Sequence, residues 1–235
     1  MNKSSTTASN PFIQSSTTQE SRFMSGVYLW MTAGIFLTAM VAYYFGQHTY
    51  LLKALANNSA FFYSVIIMQL ACLACFGALQ DSCKTSTCIG LFALYSALTG
   101  MTFSLIFLIY TQESIALTFI STAVSFLGLS LFGYSTQRNL KPLGSFCFMG
   151  LIGLIAVYSV AHFFPSLHSD TSQLVIASIG VIVFSGLTAY DTQQIKIDSC
   201  ANSDKDSANK LMISGALTLY LNFINLFLQL LRFRK

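Results

Sequence analysis

Charge is what this sequence has least of. Asp, Glu, Lys and Arg make up 9% of the 235 residues, against about 25% in a soluble domain. A water-covered surface cannot be built from that supply. With 54% hydrophobic residues and a mean hydropathy of +0.63, the chain reads as an integral membrane protein. It also lacks the short alternating segments of a β-barrel; its apolar runs are long and continuous, which points to helices. Residues 1–22 lack the apolar core of a signal peptide. They are rich in Ser, Thr, Gln and Asn and read as a disordered polar tail. No GxSxG, no HExxH and no pair of buried carboxylates is present, so no enzyme is expected. The net charge of +4 is small and mostly terminal, which gives no case for nucleic acid. The six cysteines include a CxxC at Cys72 and Cys75, but it sits in an apolar run without a partner pair or a nearby His. Packing residues are the expectation there, with no stable metal site and no cofactor.

What is present is a series of apolar segments near the ~20 residues needed to cross ~30 Å of hydrocarbon. They run over about 24–45, 61–79, 89–110, 115–134, 143–164, 174–192 and 211–231. The connections are short except for 194–210, so residues 23–235 form one bundle with no separate soluble domain. With seven spans, eight of the twelve Lys and Arg residues fall on the amino-terminal side: Lys3, Arg22, Lys84, Arg138, Lys141, Lys196, Lys205 and Lys210. Lys53, Arg232, Arg234 and Lys235 fall on the other. The excess puts the amino terminus in the cytoplasm. The basic tail would prefer that side too, which leaves a second topology open: six spans and a re-entrant last segment.

No Lys, Arg or Glu lies mid-span. Asp191, in GVIVFSGLTAYDTQQIK, is the exception among charged residues. An intramembrane carboxylate costs about 2.5–3.5 kcal/mol on insertion scales and is a functional candidate by default. The competing reading is an ordinary helix-end residue among the headgroups. In the last span Ser214, Thr218, Asn222, Asn225 and Gln229 recur at steps of four, four, three and four, which is one helix face. Such a stripe faces protein or a wet cavity, either as interhelical glue or as a path. Gln69 and Gln80 share a face of the second span, beside a small-residue stripe of Ala71, Ala74 and Ala78. His162 reads as interfacial.

Several stretches resemble a known family. VYLWMTAGIFLTAMVAY, LYSALTGMTFSLIFLIYTQESIALTF, GYSTQRNLKPLGSFCFMGLIGLI, VFSGLTAYDTQQIK and LYLNFINLFLQLLR are together similar to the bacterial branch of the Bax inhibitor-1 family, over roughly residues 20–235. The resemblance implies an all-α membrane protein: a seven-transmembrane helix bundle with the last helix central, in the bacterial inner membrane. For some members it implies a pH-sensitive calcium leak, in which two aspartates on the last two helices share a proton and close the path. Asp191 matches one; Asn222 stands where the family usually has the other. Gln69 stands where many relatives have Glu, and Leu79 and Gln80 where an Arg is usual. The ion path expected from the resemblance thus runs by Asp191, Asn222 and Gln69, with Ser214, Thr218, Asn225 and Gln229 in support. Calcium enters as a transported ion, held in transit and not stored. Two close carboxylates cannot both ionise easily, so replacing one by an amide weakens or displaces a pH switch. The family also implies a second role, a membrane interaction protein that modulates a membrane-bound protease or membrane-protein quality control through the tail 1–22 and the loop 194–210, and, separately, stress protection.

Overall fold

The computed structural model describes residues 11–80, 82–161, 169–199 and 205–234. Helices α1 (Pro11–Gln47), α2 (Thr49–Asn57), α3 (Ser59–Leu79), α4 (Thr85–Phe103) and α5 (Ile106–Ile109) come first. Then follow α6 (Gln112–Ser135), α7 (Lys141–Ala161), α8 (Asp170–Ser199) and α9 (Lys205–Leu231), which ends in a 3-10 turn at Arg232–Arg234. Seven segments are long and apolar enough to span a membrane, α4 and α5 counting as one. The last is continuous over 27 residues, about 40 Å by helical rise. It has no re-entrant break, so the fold takes the seven-span form.

Burial ranks the helices. In the most apolar stretch of each span, 61% of α9 is buried and 44% of α8, but only 17% of α3 and of α7. α9 is therefore the central helix. α1, α4, α6 and α8 pack around it, while α3 leans on α4 and α7 on α8. The core between α1, α4 and α9 is aromatic. Tyr220 is fully buried, edge-on to Phe92 and Tyr95, and its hydroxyl meets Thr38 Oγ1 at 2.6 Å. Thr38 in turn donates to the Ser96 carbonyl at 2.9 Å. That chain satisfies the one polar group that a buried tyrosine brings.

The elements differ from the sequence expectation at their ends. α1 begins at Pro11, inside the polar stretch read as a disordered tail, and Glu20 there pairs with Lys196 of α8 at 3.4 Å. Phe23 and Met24 are buried just beyond it, so tertiary contacts hold the helix from Glu20 onward. α2 was not expected. It buries Leu52 and Leu55, and Leu55 packs with Val65 and Leu98. Asn58 closes the gap to α3 by accepting from the Phe61 amide at 3.1 Å. The third span breaks at Ser104, whose hydroxyl bonds the Met101 carbonyl at 2.7 Å, a local alternative to the helical ladder. His162, Lys3, Lys205's side chain and Lys235 lie outside the described residues.

Close helix contacts depend on missing side chains. A Cβ at Gly133 of α6 would collide with the Ala189 carbonyl of α8, and one at Gly100 would lie 2.6 Å from the Thr38 carbonyl. Gly128, on the same helix as Gly133, has nothing within 4 Å of such a Cβ. Gly133→Ala is expected to destabilise the purified protein by about 1–3 kcal/mol, whereas Gly128→Ala is neutral or mildly stabilising. Thermal unfolding of both variants in the same detergent checks this; equal midpoints would refute it.

Candidate functional site

The helices around α9 do not form a closed collar. α1 packs on α4 and α6 on α8, but α4 and α8 make no extended contact with each other. Through that gap the polar face of α9 is uncovered. α3 flanks it on one side and α7 on the other, and a cavity of about 800 Å³ lies between them. Thr218, Asn222 and Asn225 of α9 and Asp191 of α8 line its floor.

α8 starts at Asp170 and runs to Ser199, four residues earlier and seven later than the apolar run suggests. Asp191 therefore sits eight residues inside the helix, not at its end. α9 likewise begins at Lys205 rather than near Leu211. In the antiparallel register of the two helices Ile195 meets Gly215, Asp191 meets Asn222 and Gly180 meets Gln229. The Asn222 amide donates to Asp191 Oδ2 at 2.6 Å. Span limits taken from hydropathy alone left it open whether these residues met; they do. Asn222 is 6% exposed and Asp191 partly buried. Among the described residues Asp191 takes part in no salt bridge, so the amide is its partner.

The remaining sequence candidates separate. Asn225 donates to the Leu221 carbonyl at 2.8 Å and lines the same cavity. Thr218 bonds back to the Ser214 carbonyl at 3.1 Å. Ser214 itself donates to Gln80 Oε1 at 3.0 Å and ties α9 to the end of α3. Gln229 is buried, accepts from the Tyr158 hydroxyl at 3.0 Å and packs where Gly180 has no side chain, so it bridges α7, α8 and α9. Arg232 joins that end, its guanidinium on the Tyr158 ring and bonded to Gln173 at 3.1 Å. Gln69 points elsewhere: its amide reaches Thr102 at 3.2 Å on the α3–α4 seam and does not line the cavity.

With this geometry in view, the comparisons with known proteins decide the family. A family model described as "Inhibitor of apoptosis-promoting Bax1" matches residues 20–234. The chain belongs to the Bax inhibitor-1 family. It is 46% identical over 212 residues to the inner membrane protein YbhL of Escherichia coli K12, 89% of each chain. An uncharacterised protein of Borreliella burgdorferi is 40% identical over 215 residues, 91% of each chain. One from Rickettsia prowazekii is 48% identical over 143 residues, 61% of this chain and 59% of its own.

Sequence reasoning missed the clasp beside Asp191 in this Bax inhibitor-1 family member. Gln193 is buried, accepts from the Leu140 amide at 2.9 Å and donates to the Arg138 carbonyl at 2.8 Å. One side chain thus satisfies the backbone of the turn joining α6 to α7. Three residues on, Lys196 bonds the Tyr134 carbonyl at 3.0 Å, lies 4.3 Å from that ring's centroid and meets Glu20. The only signal for either was the TQQIK run itself, which gives no partner. Gln193→Leu leaves one donor and one acceptor unmade, at a cost of about 1–3 kcal/mol. Hydrogen exchange at the amides of 138–141 should speed up in that variant while α9 stays protected; unchanged exchange there would show that the clasp is dispensable.

Proposed function

We propose that this chain is a cation leak of the bacterial inner membrane, with calcium as the ion and Asp191 with Asn222 as the gating pair. The observation that carries the reading is the 2.6 Å hydrogen bond between them on the floor of a cavity beside the central helix. Family membership and the inner-membrane relative support the location, and the Lys and Arg excess supports a cytoplasmic amino terminus. Calcium takes oxygen ligands. The floor offers a carboxylate, two amide carbonyls and a hydroxyl, a donor set that suits passage more than storage. Gln69 contributes to this reading through α3–α4 packing.

The pH response follows from the single charge. Two carboxylates at hydrogen-bond distance hold one proton between them. An amide and a carboxylate do not, and the pair loses the repulsion that would drive it apart. The pH switch of the leak is therefore weakened or displaced. In proteoliposomes loaded with a calcium dye, Asp191→Asn should change flux by about tenfold, equivalent to ~1.4 kcal/mol at the gate. Asn222→Asp should make flux vary more steeply than wild type between about pH 6 and pH 8. Flux equal to empty liposomes, with folding verified, would overturn the leak.

A second reading rests on α1. Its polar first turns precede the apolar run and are tied to α8 through Glu20 and Lys196. This is a contact element for a membrane protease or another membrane protein. Removing residues 1–18 should abolish such crosslinks in cells and leave flux unchanged.

A further inference from the structure

We propose that the cleft between α3 and α7 is a binding site for hydrophobic organic cations, which reach Asp191 sideways from the bilayer. This deepens the reading of the Asp191 site but needs no conduction. Size is the first argument. About 800 Å³ is far more than a bare metal ion fills and falls in the ~300–1,000 Å³ range of small-molecule pockets. The second is the wall. Leu73, Phe148, Met149, Ile155, Phe184 and Leu187 line it. Such a wall can cover the apolar body of an organic ligand.

Charge selects the ligand. Among the lining residues there is one carboxylate and no Lys or Arg. Asn222 binds Asp191 Oδ2, and no described residue hydrogen-bonds Oδ1. The floor is thus a negative charge whose partner is a neutral amide, which favours a cation and repels an anion. Two tyrosine rings, Tyr95 and Tyr190, stand in the same cavity. The Tyr190 ring lies against Gly144, where a Cβ would collide with it, so α7 comes close enough for the ring to be held as part of the wall. Aromatic faces beside a carboxylate suit a diffuse organic cation, which sheds its hydration more easily than calcium does.

Access comes from the side. α7 packs on α8 and makes no extended contact with α3 or α4. Phe148, Met149 and Ile155 line the cleft, yet they are 57%, 65% and 58% exposed. Residues that both line a cavity and face outward mark its mouth, and on a membrane-spanning helix outward is lipid. An amphiphilic cation partitioned into the bilayer therefore meets the opening from the lipid side.

The test measures binding of radiolabelled tetraphenylphosphonium to the full-length protein in nanodiscs, with empty nanodiscs as background. Saturable binding is expected, weakened at least about tenfold in Asp191→Asn. Triphenylphosphine oxide, similar in shape and uncharged, should not compete. Ser145→Trp, which keeps the carboxylate but fills the cleft from an exposed position on α7, should abolish binding. This variant and the competitor decide the matter should Asp191→Asn fail to fold. Unchanged affinity in Ser145→Trp, or equal displacement by the uncharged competitor, overturns the proposal; the latter would mean that the cleft accepts apolar bodies such as lipid chains without regard to charge. Binding without calcium flux would overturn only the leak, and flux without binding only this inference.

Discussion

A helix with a polar stripe cannot face lipid, and the bundle is arranged around keeping α9 away from it. Five of its residues, from Ser214 to Gln229, bring hydroxyl or amide groups to one side of a span that is otherwise apolar. Each has to find a partner or a cavity. The partners come from α3 through Gln80, from α7 through Tyr158 and from α8 through Asp191. The rest of the helix is covered by aromatic packing from α1, α4 and α6. The opening in the collar falls where α9 is polar, so the feature that demands burial also creates the cavity.

The Asp191–Asn222 pair sets one carboxylate against one neutral amide at hydrogen-bond distance. An amide has nearly the shape of a carboxylic acid and can donate to the facing carboxylate as a protonated acid would. The amide donor needs no proton of its own to make this bond, whereas a second carboxylate would make it only while protonated. The neighbouring clasp at Gln193 and the ion pair at Lys196 fix the same two turns of α8, so the carboxylate sits on a segment held from three directions.

Much of this was legible in the sequence. Hydropathy found the seven spans, and the steps of four and three picked out the stripe on α9. The scarcity of charge singled out Asp191. Helix ends were less legible, because hydropathy marks where lipid begins and not where the ladder of hydrogen bonds stops: α8 continues seven residues past Thr192 through polar contacts that no transfer scale records. α2 was missed because nine residues with two buried leucines make a weak periodic signal. Gln69 looked equivalent to the stripe residues by type and depth, yet only packing could reveal that its neighbours are Thr99 and Thr102. The cleft has no sequence signature, since it arises from two helices that fail to touch.

α7 has a mechanical character that its neighbours lack. Its first residues follow a turn gripped by Gln193, and near its last turn Tyr158 is held by Gln229 and Arg232. It is a beam clamped at both ends to α8 and α9. Across the cleft, α3 packs on α4, where Gln69 and Cys72 bond it, reaches α9 through Phe76 and the Ser214–Gln80 bond, and is joined to α1 through the short α2, between the non-helical residues His48 and Asn58. The two walls of the cleft are thus braced on different helices, α7 on α8 and α3 on α4, so the width of the cleft reports how those two inner helices sit around α9.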